Sequence, residues 1–345
     1  MDLNISTDVR KAALETWLAG LLAGPPARIA PASADASFRR YFRVWQGGRT
    51  YIAMDAPPGR EDLGPFIQVA ELLAAAGVNV PRVLGRDADR GFLLLTDLGS
   101  RLYLDALREG DDPDRLYGDA ITALLRIQSQ APAAAQRLPA YDAGRLQQEM
   151  ALFPEWFLSR HLGLQLSARE LGVIERAVAR LTAAALAQPQ VLVHRDYHSR
   201  NLMVCDENPG ILDFQDAVCG PATYDLVSLL KDCYISWPRE RVLEWLDVYR
   251  AAAARAGLQF GGHRAAFIEA FDLMGLQRHL KVLGIFARLW YRDGKPGYLA
   301  DLPLVLEYTL DAASRSGAMA ELGAFLQERV VPEFAGAQRR AQVPA

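Results

Sequence analysis

The sequence predicts an α+β protein of two lobes: a small, mainly β lobe over residues 1–97 and a larger, mainly helical lobe over 98–345. Three observations predict it. Short runs of period-two alternation broken by glycine turns fill the N-terminal part, whereas long stretches of helical periodicity dominate after Leu102. The change falls near Asp97-Leu98-Gly99. With 51% hydrophobic and 23% charged residues, the 345-residue chain has the composition of a globular protein long enough for two packed regions.

The opening MDLNISTDVRKAALETWLAGLLAG spaces Leu14, Trp17, Leu18, Leu21 and Leu22 at helical intervals and includes Asp8 and Glu15. That predicts an amphipathic helix and not a signal-peptide core. SFRRYFRVWQGGRTYIAMDAPP alternates over 38–45, turns at Gly47-Gly48 and resumes over 50–55, which predicts a hairpin. Residues 62–77 place Phe66, Val69, Leu72 and Leu73 on one face and stop at Gly77, so a helix is expected there. VPRVLGRD and GFLLLTDL supply two further strands, giving the order strand, strand, helix, strand, strand. Beyond Leu102, helices are expected over about 113–130, 142–160, 166–187, 238–256, 263–290 and 302–315. They are interrupted by a strand pair over 190–214, within which VLVHRDYHSRNLMV (191–204) reads as a buried hairpin with polar chemistry at its mouth. APAAAQRLPA (131–140) reads as a surface connection, and no segment approaches the length and apolarity of a membrane span.

A net charge of −3 and a pI near 6.0 provide no broad cationic field. Nucleic-acid backbones and anionic membranes are therefore not expected partners, no obligate protein partner is inferred, and a small-molecule ligand gripped locally is favoured. Cys205, Cys219 and Cys233 are odd in number and form no CxxC pair, which speaks against a disulfide framework and for a reducing, cytoplasmic setting. A small β lobe joined to a helical lobe implies a cleft between them, where small ligands usually bind.

His194-Arg195-Asp196, followed by four residues and Asn201, matches the H-R-D-x-x-x-x-N catalytic loop of kinases, and twelve residues later ILDFQD supplies Asp213. In that chemistry Asp196 is the base or orienter of an incoming hydroxyl. Asn201 and Asp213 provide hard oxygens for Mg²⁺, which completes its shell with water and nucleotide phosphates. His194 reads as a hydrogen-bonder that fixes the loop. Other readings of these residues are a solvated, self-paired turn and an H-x-D-x-H zinc cluster of His194, Asp196 and His198.

Over nearly its whole length the chain resembles the aminoglycoside phosphotransferase-like kinases. SADASFRRYFRV is similar to their nucleotide loop and its strands, and GFLLLTDLGS to the strand and hinge. VLVHRDYHSRNLMV and GILDFQDA are similar to the catalytic and metal segments, and GPATYDLVSLLKD to the helix after them. The resemblance implies a protein-kinase-like two-lobed fold, with ATP and Mg²⁺ as cofactors. Within that family, ASFRRYFR, YIAMDAPP, RLYLDAL, HRDYHSRNLM, LDFQDAVCGPATYDL and LQRHLKVLGIFARL resemble the bacterial anomeric amino-sugar kinases. What this implies is phosphorylation of the C1 hydroxyl of N-acetylmuramate and N-acetylglucosamine, in peptidoglycan recycling toward UDP-amino sugars. Nucleotide contacts are implied for Ala53 and for Thr96, Asp97 and Leu98 of the hinge, and acceptor contacts are expected from His198, Arg200 and Arg278. Asp225 reads either as a third metal ligand or as a structural residue; in the family the matching aspartate is more often structural, bracing the catalytic loop.

Two family features are missing. The loop SADAS (33–37) contains no glycine, so the hydroxyls of Ser33 and Ser37 are the expected phosphate donors. The phosphate lysine is also absent: laying Ile52-Ala53-Met54-Asp55 on the V-A-I-K strand puts Met54 or Asp55 in its place. Arg39 or Arg40 is expected to supply the missing cation, since a guanidinium binds phosphate bidentately. Over 276–292, Arg278, Lys281, Arg288 and Arg292 fall within about 80° of one another at roughly 100° per residue, a basic face that is either solvated or borders the sugar. The lactyl carboxylate of N-acetylmuramate requires a cation such as Arg200 or Arg278, or access to water. Kinases of other small alcohols (aminoglycosides, choline, homoserine) and a nucleotide-binding pseudokinase are the alternatives these departures leave.

Overall fold

A computed structural model of the chain describes residues 2–34, 38–130, 132–258 and 263–342. The N-terminal helix α1 (Asp2–Leu21) precedes three strands, β1 (Arg28–Ala34), β2 (Arg40–Gln46) and β3 (Arg49–Asp55). Next come α2 (Leu63–Ala75), β4 (Val83–Asp87) and β5 (Phe92–Thr96). The five strands form one antiparallel sheet in the order β1-β2-β3-β5-β4. The β2–β3 hairpin closes on Gly47 and Gly48, with φ of 57° and 74°, values that suit glycine in a two-residue turn. Alternate residues Phe42, Val44, Ala53, Phe92 and Leu94 line one sheet face and bury Leu14 and Leu18 of α1. The α2 helix starts on Asp62, whose side chain accepts from Gly64 N–H, and stops at Gly77, which has φ 71°.

The expected order of strands lacked β1. Its Pro31 and small residues carry no period-two signal, and a shift of register follows between Pro31 and Ser33. An edge position, where an N–H to the sheet can be spared, is where such a strand is tolerated.

By compactness the chain divides into two units, the first comprising residues 1–106 and 201–216, the second 107–200 and 217–345. The first therefore runs beyond Asp97-Leu98-Gly99 and takes in a distant segment. Val204 N–H donates to Arg101 O at 2.8 Å, and Asn208 Nδ2 to the Tyr103 hydroxyl at 2.8 Å, which ties the start of α3 (Tyr103–Glu109) to that segment.

The second unit is built from α4 (Pro113–Gln128), the short α5 (Pro132–Ala135), α6 (Ala143–Met150), a π-helical stretch Phe153–His161 and α7 (Ala168–Leu186). It continues through β6 (Gln190–Val193) and, after two strands of the first unit, β7 (Leu202–Met203) and β8 (Gly210–Ile211), through β9 (Val218–Pro221). Its remaining helices are α8 (Tyr224–Leu230), α9 (Arg239–Arg255), α10 (Arg264–Tyr291), α11 (Leu302–Arg315), α12 (Ala320–Phe325) and α13 (Val331–Gln342). A capping box of Ser167 and Glu170 starts α7. Sixteen of the residues of α10 are buried, as befits a central helix. Among the described residues no helix is long and apolar enough to cross a membrane.

The hairpin expected over 191–204 is not formed. Val191–Val193 pair with β9, and Leu202–Met203 pair with β8. α8 and the helical chain after residue 317 add to the helices read from periodicity.

Candidate active site

The loop after β6 is held from beneath by Asp225, the second residue of α8 and fully buried. Its two carboxylate oxygens accept the backbone N–H of His194 at 2.7 Å and of Arg195 at 2.9 Å. Asp225 thus braces the loop. Arg195 has φ 79°, a left-handed conformation that a non-glycine residue adopts at a cost and that surrounding bonds must enforce. His194 is buried, and its Nδ1 accepts Asp196 N–H at 3.2 Å, so it fixes the loop. Among the described residues, no group of three or more His, Cys, Asp or Glu side chains is placed to hold a metal ion, and the zinc reading is not supported.

This bracing presents Asp196 with 40% of its side chain exposed. Its Oδ1 lies 3.9 Å from Nη1 of Arg278, a side chain only 4% exposed. Burial works to raise the Asp196 pKa, but Arg278 first, then Lys281, His198 and Arg195, outweigh it and hold the carboxyl at about 2. Asp196 is therefore ionised throughout the neutral range, a good hydrogen-bond acceptor and a weak base.

The cations behind it are not solvated. Arg278 Nη1 donates to Arg195 O at 3.2 Å and to the Tyr224 hydroxyl at 3.3 Å. Lys281 Nζ lies 3.1 Å from Glu149 and donates to the same tyrosine at 3.0 Å. Arg195 also ion-pairs with Glu149. The basic face read over 276–292 is thus divided: Arg278 and Lys281 face inward into this network, while the exposed Arg292 pairs with Asp293. Arg278, expected at the acceptor, stands behind Asp196 with its Nη1 in use.

His198 and Arg200 follow at alternate positions. The His198 ring is buried edge-on against Tyr234 at 5.4 Å, and burial foremost lowers its pKa. Asp232 receives Ser199 N–H at 2.9 Å and Tyr234 N–H at 3.0 Å, locking the two segments together. Arg200 lies over the Tyr234 ring at 3.6 Å and 3.9 Å from Asp301. Asp196, His198, Arg200 and Arg278 all belong to the second unit.

Asn201 and Asp213 belong to the first. The β7–β8 ladder, extended by Leu212 N–H to Asn201 O at 2.9 Å, brings them together. Asn201 Nδ2 is 3.3 Å from Asp213 Oδ2, and Gln215 Nε2 donates to Asp213 Oδ1 at 2.8 Å. Asp213 has φ 61°, a second strained backbone at a predicted site residue. Phe214 packs on Phe66 of α2 at 4.9 Å. One amide and one carboxylate side by side fit Mg²⁺, which rarely takes more than one or two protein carboxylates and leaves its other positions to phosphate and water.

The expected nucleotide contacts fare differently. Asp55 is fully buried on the α1 side of the sheet, where Arg10 Nε donates to Oδ1 and Arg40 Nε to Oδ2, each at 3.0 Å. Arg40 is thereby engaged in neutralising Asp55, its cross-strand partner, a pairing that competes with the expected grip on phosphate. Arg39 pairs with Glu61 at 3.0 Å and is engaged as well. Ala53 packs in the core under α1, so its side chain is not a nucleotide contact. Thr96 Oγ1 accepts Arg82 N–H at 2.9 Å. Asp97 is held by Arg43 at 2.8 Å and caps Gly99 N–H at 2.9 Å, so the side chains of Thr96 and Asp97 are both engaged within the protein and the backbone there is left for a ligand. Ser37 lies outside the described residues, and Ser33 is described only through its backbone in β1. Arg40→Ala should therefore act on stability, lowering it by about 1–3 kcal/mol, because Arg10 still offsets half the buried charge. An unchanged urea midpoint, with a raised KM for ATP, would return Arg40 to the phosphates.

Sequence reasoning missed Arg43, Glu149, Asp232, Tyr234 and Asp301. Arg43 carried a signal, since it alternates with Tyr41 and Trp45 on a strand where a cation facing inward needs a partner.

The family model described as the phosphotransferase enzyme family matches residues 28–268. A protein of Pseudomonas aeruginosa named N-acetylmuramate/N-acetylglucosamine kinase is 49% identical over 333 residues, covering 93% of this chain and 97% of that one. One of Pseudomonas putida with the same name is 50% identical, covering 88% and 89%. Among solved structures, the ADP-bound aminoglycoside phosphotransferase APH(2'')-Ib aligns with a TM-score of 0.60 at 16% identity, over 87% of this chain and 98% of that one. The choline kinase LicA of Streptococcus pneumoniae aligns with a TM-score of 0.60 at 11% identity, over 87% and 99%. At such identities the two structures speak for the protein-kinase-like fold alone.

Proposed function

The chain belongs to the phosphotransferase enzyme family, and on that premise we propose that it transfers the γ-phosphoryl group of ATP to the anomeric hydroxyl of N-acetylmuramate and N-acetylglucosamine. It is a phosphotransferase with an alcohol group as acceptor. The acceptor identity is supported by relatives at about half identity over most of both chains that bear that name. The single observation that carries the chemistry is Asp196, ionised, part-exposed and set on a loop braced by Asp225.

Asp196 accepts a hydrogen bond from the attacking hydroxyl and orients its lone pair toward the phosphorus. A carboxyl held near 2 is too weak a base to remove that proton in advance, and a loose phosphoryl-transfer transition state does not require it. The proton passes to Asp196 Oδ as the new O–P bond forms. Arg278 and Lys281 keep the carboxylate ionised until then, so catalysis rests on positioning and fixed charge. Asn201 and Asp213 are the residues to hold Mg²⁺, which when bound neutralises the phosphate oxygens. The hinge backbone at Thr96-Asp97-Leu98 is left for the nucleotide, and a role in peptidoglycan recycling toward UDP-amino sugars, in the cytoplasm, follows from the acceptor.

ADP release with ATP and Mg²⁺ should be measured against N-acetylmuramate, N-acetylglucosamine, choline, homoserine and an aminoglycoside. The two amino sugars should turn over and the others should stay near background. Faster turnover of any of the other three would overturn the acceptor assignment.

A further inference from the structure

The two proposed acceptors differ by one group, the lactyl ether on C3 of N-acetylmuramate, whose carboxylate is charged at neutral pH. A site that serves both needs something to tell them apart. Two arginines of the second unit, Arg278 and Arg200, are expected at the acceptor, and their geometry separates them. Arg278 is 4% exposed, with Nη1 committed to Arg195 O and to the Tyr224 hydroxyl. Arg200 has a side chain 39% exposed, its guanidinium laid on the Tyr234 ring at 3.6 Å.

That platform is rigid. Tyr234 is pinned through its backbone by Asp232, and its ring meets His198 at 5.4 Å and Phe286 at 6.3 Å. A guanidinium stacked by its face keeps its in-plane N–H edge for a bidentate carboxylate. The carboxylate now nearest to that edge, Asp301, lies 3.9 Å away, beyond hydrogen-bonding distance, so an incoming carboxylate can replace it without breaking a hydrogen bond. Through the Tyr234 ring, the Arg200 guanidinium is joined to the ring of His198, two residues beyond Asp196. Arg200 follows Asp196 by four positions, at most about 14 Å of extended chain.

We propose that Arg200, laid flat on Tyr234 with Asp301 as its resting counter-ion, reads the lactyl carboxylate and sets the preference between N-acetylmuramate and N-acetylglucosamine. The proposal rests on the amino-sugar kinase reading. Asp301 competes for the same cation and restrains that preference.

The test is the ratio of kcat/KM for the two sugars, measured on one preparation so that the active fraction cancels. Arg200→Gln should lower the N-acetylmuramate to N-acetylglucosamine ratio by about tenfold, the worth of one charged hydrogen-bonded contact, and Arg200→Lys by less. Asp301→Asn should raise the ratio. With the wild-type enzyme, the methyl ester of N-acetylmuramate should run about tenfold behind the acid, a comparison that needs no variant to fold. A ratio unmoved by Arg200→Gln, or an ester as good as the acid, overturns the assignment of Arg200 while leaving the kinase reading intact. Failure of the wild type to phosphorylate either sugar would instead bring down the reading on which it rests.

Discussion

Asp196→Asn is expected to reduce kcat by about 10²–10⁴-fold while leaving nucleotide affinity within a few-fold of the wild type. The substitution keeps shape and hydrogen-bonding capacity but removes the charge. An amide can still accept through its oxygen, yet it can take no proton as the O–P bond forms, and its NH₂ can turn toward the acceptor hydroxyl in the wrong sense. The residues proposed for the nucleotide and for Mg²⁺ belong to the first unit, and Asp196 to the second, so binding of ATP, followed by titration calorimetry, reports a separate part of the molecule. Loss of the carboxylate also leaves Arg278 and Lys281 with less counter-charge, but Glu149 remains 3.1 Å from Lys281 and paired with Arg195, so folding should survive. A variant retaining more than about a tenth of the activity would remove Asp196 from the role of base and orienter.

Much of this centre was legible in the sequence because its signals are local. His194, Asp196, Asn201 and Asp213 lie within twenty residues, and each residue type is demanded by the chemistry at its position. Asp225 was legible as a brace only through resemblance, since nothing in its neighbours announces a bond to a loop thirty residues earlier. The ion pair that engages the expected phosphate cation was hidden for a similar reason. Arg40 stands beside the right loop, but the decisive fact is the buried Asp55 opposite it, joined by Arg10 from a helix 45 residues upstream. Pairing across that distance has no sequence period. The hairpin over 191–204 failed because two apolar runs flanking a polar loop state only that each run is buried, and not which strand it joins. Tyr234 and Asp301 escaped notice because the ring under the Arg200 guanidinium and its counter-ion come from segments 34 and 101 residues away, in a part of the chain read as helices and connections.

Methyl glycosides of N-acetylglucosamine and N-acetylmuramate should not be phosphorylated at all, and the product of the free sugars should be a 1-phosphate. The weakness of Asp196 as a base is what points to this hydroxyl. A carboxyl held at about 2 by Arg278 and Lys281 has little drive to accept a proton from an ordinary alcohol, so it is best matched to the most acidic hydroxyl on the ring. In a reducing sugar that is the anomeric one, whose oxyanion is stabilised by the adjacent ring oxygen. Because the carboxylate stays ionised down to about pH 2, any acid limb of the pH–rate profile above pH 4 belongs to another group. Phosphorus NMR distinguishes the products by coupling: a phosphate on C1 couples to one proton and appears as a doublet, whereas one on C6 couples to two. A signal coupled to the H6 pair, or turnover of a methyl glycoside at a rate comparable to the free sugar, would show that Asp196 serves a primary alcohol, and its low pKa would then have to be offset by charge elsewhere in the site.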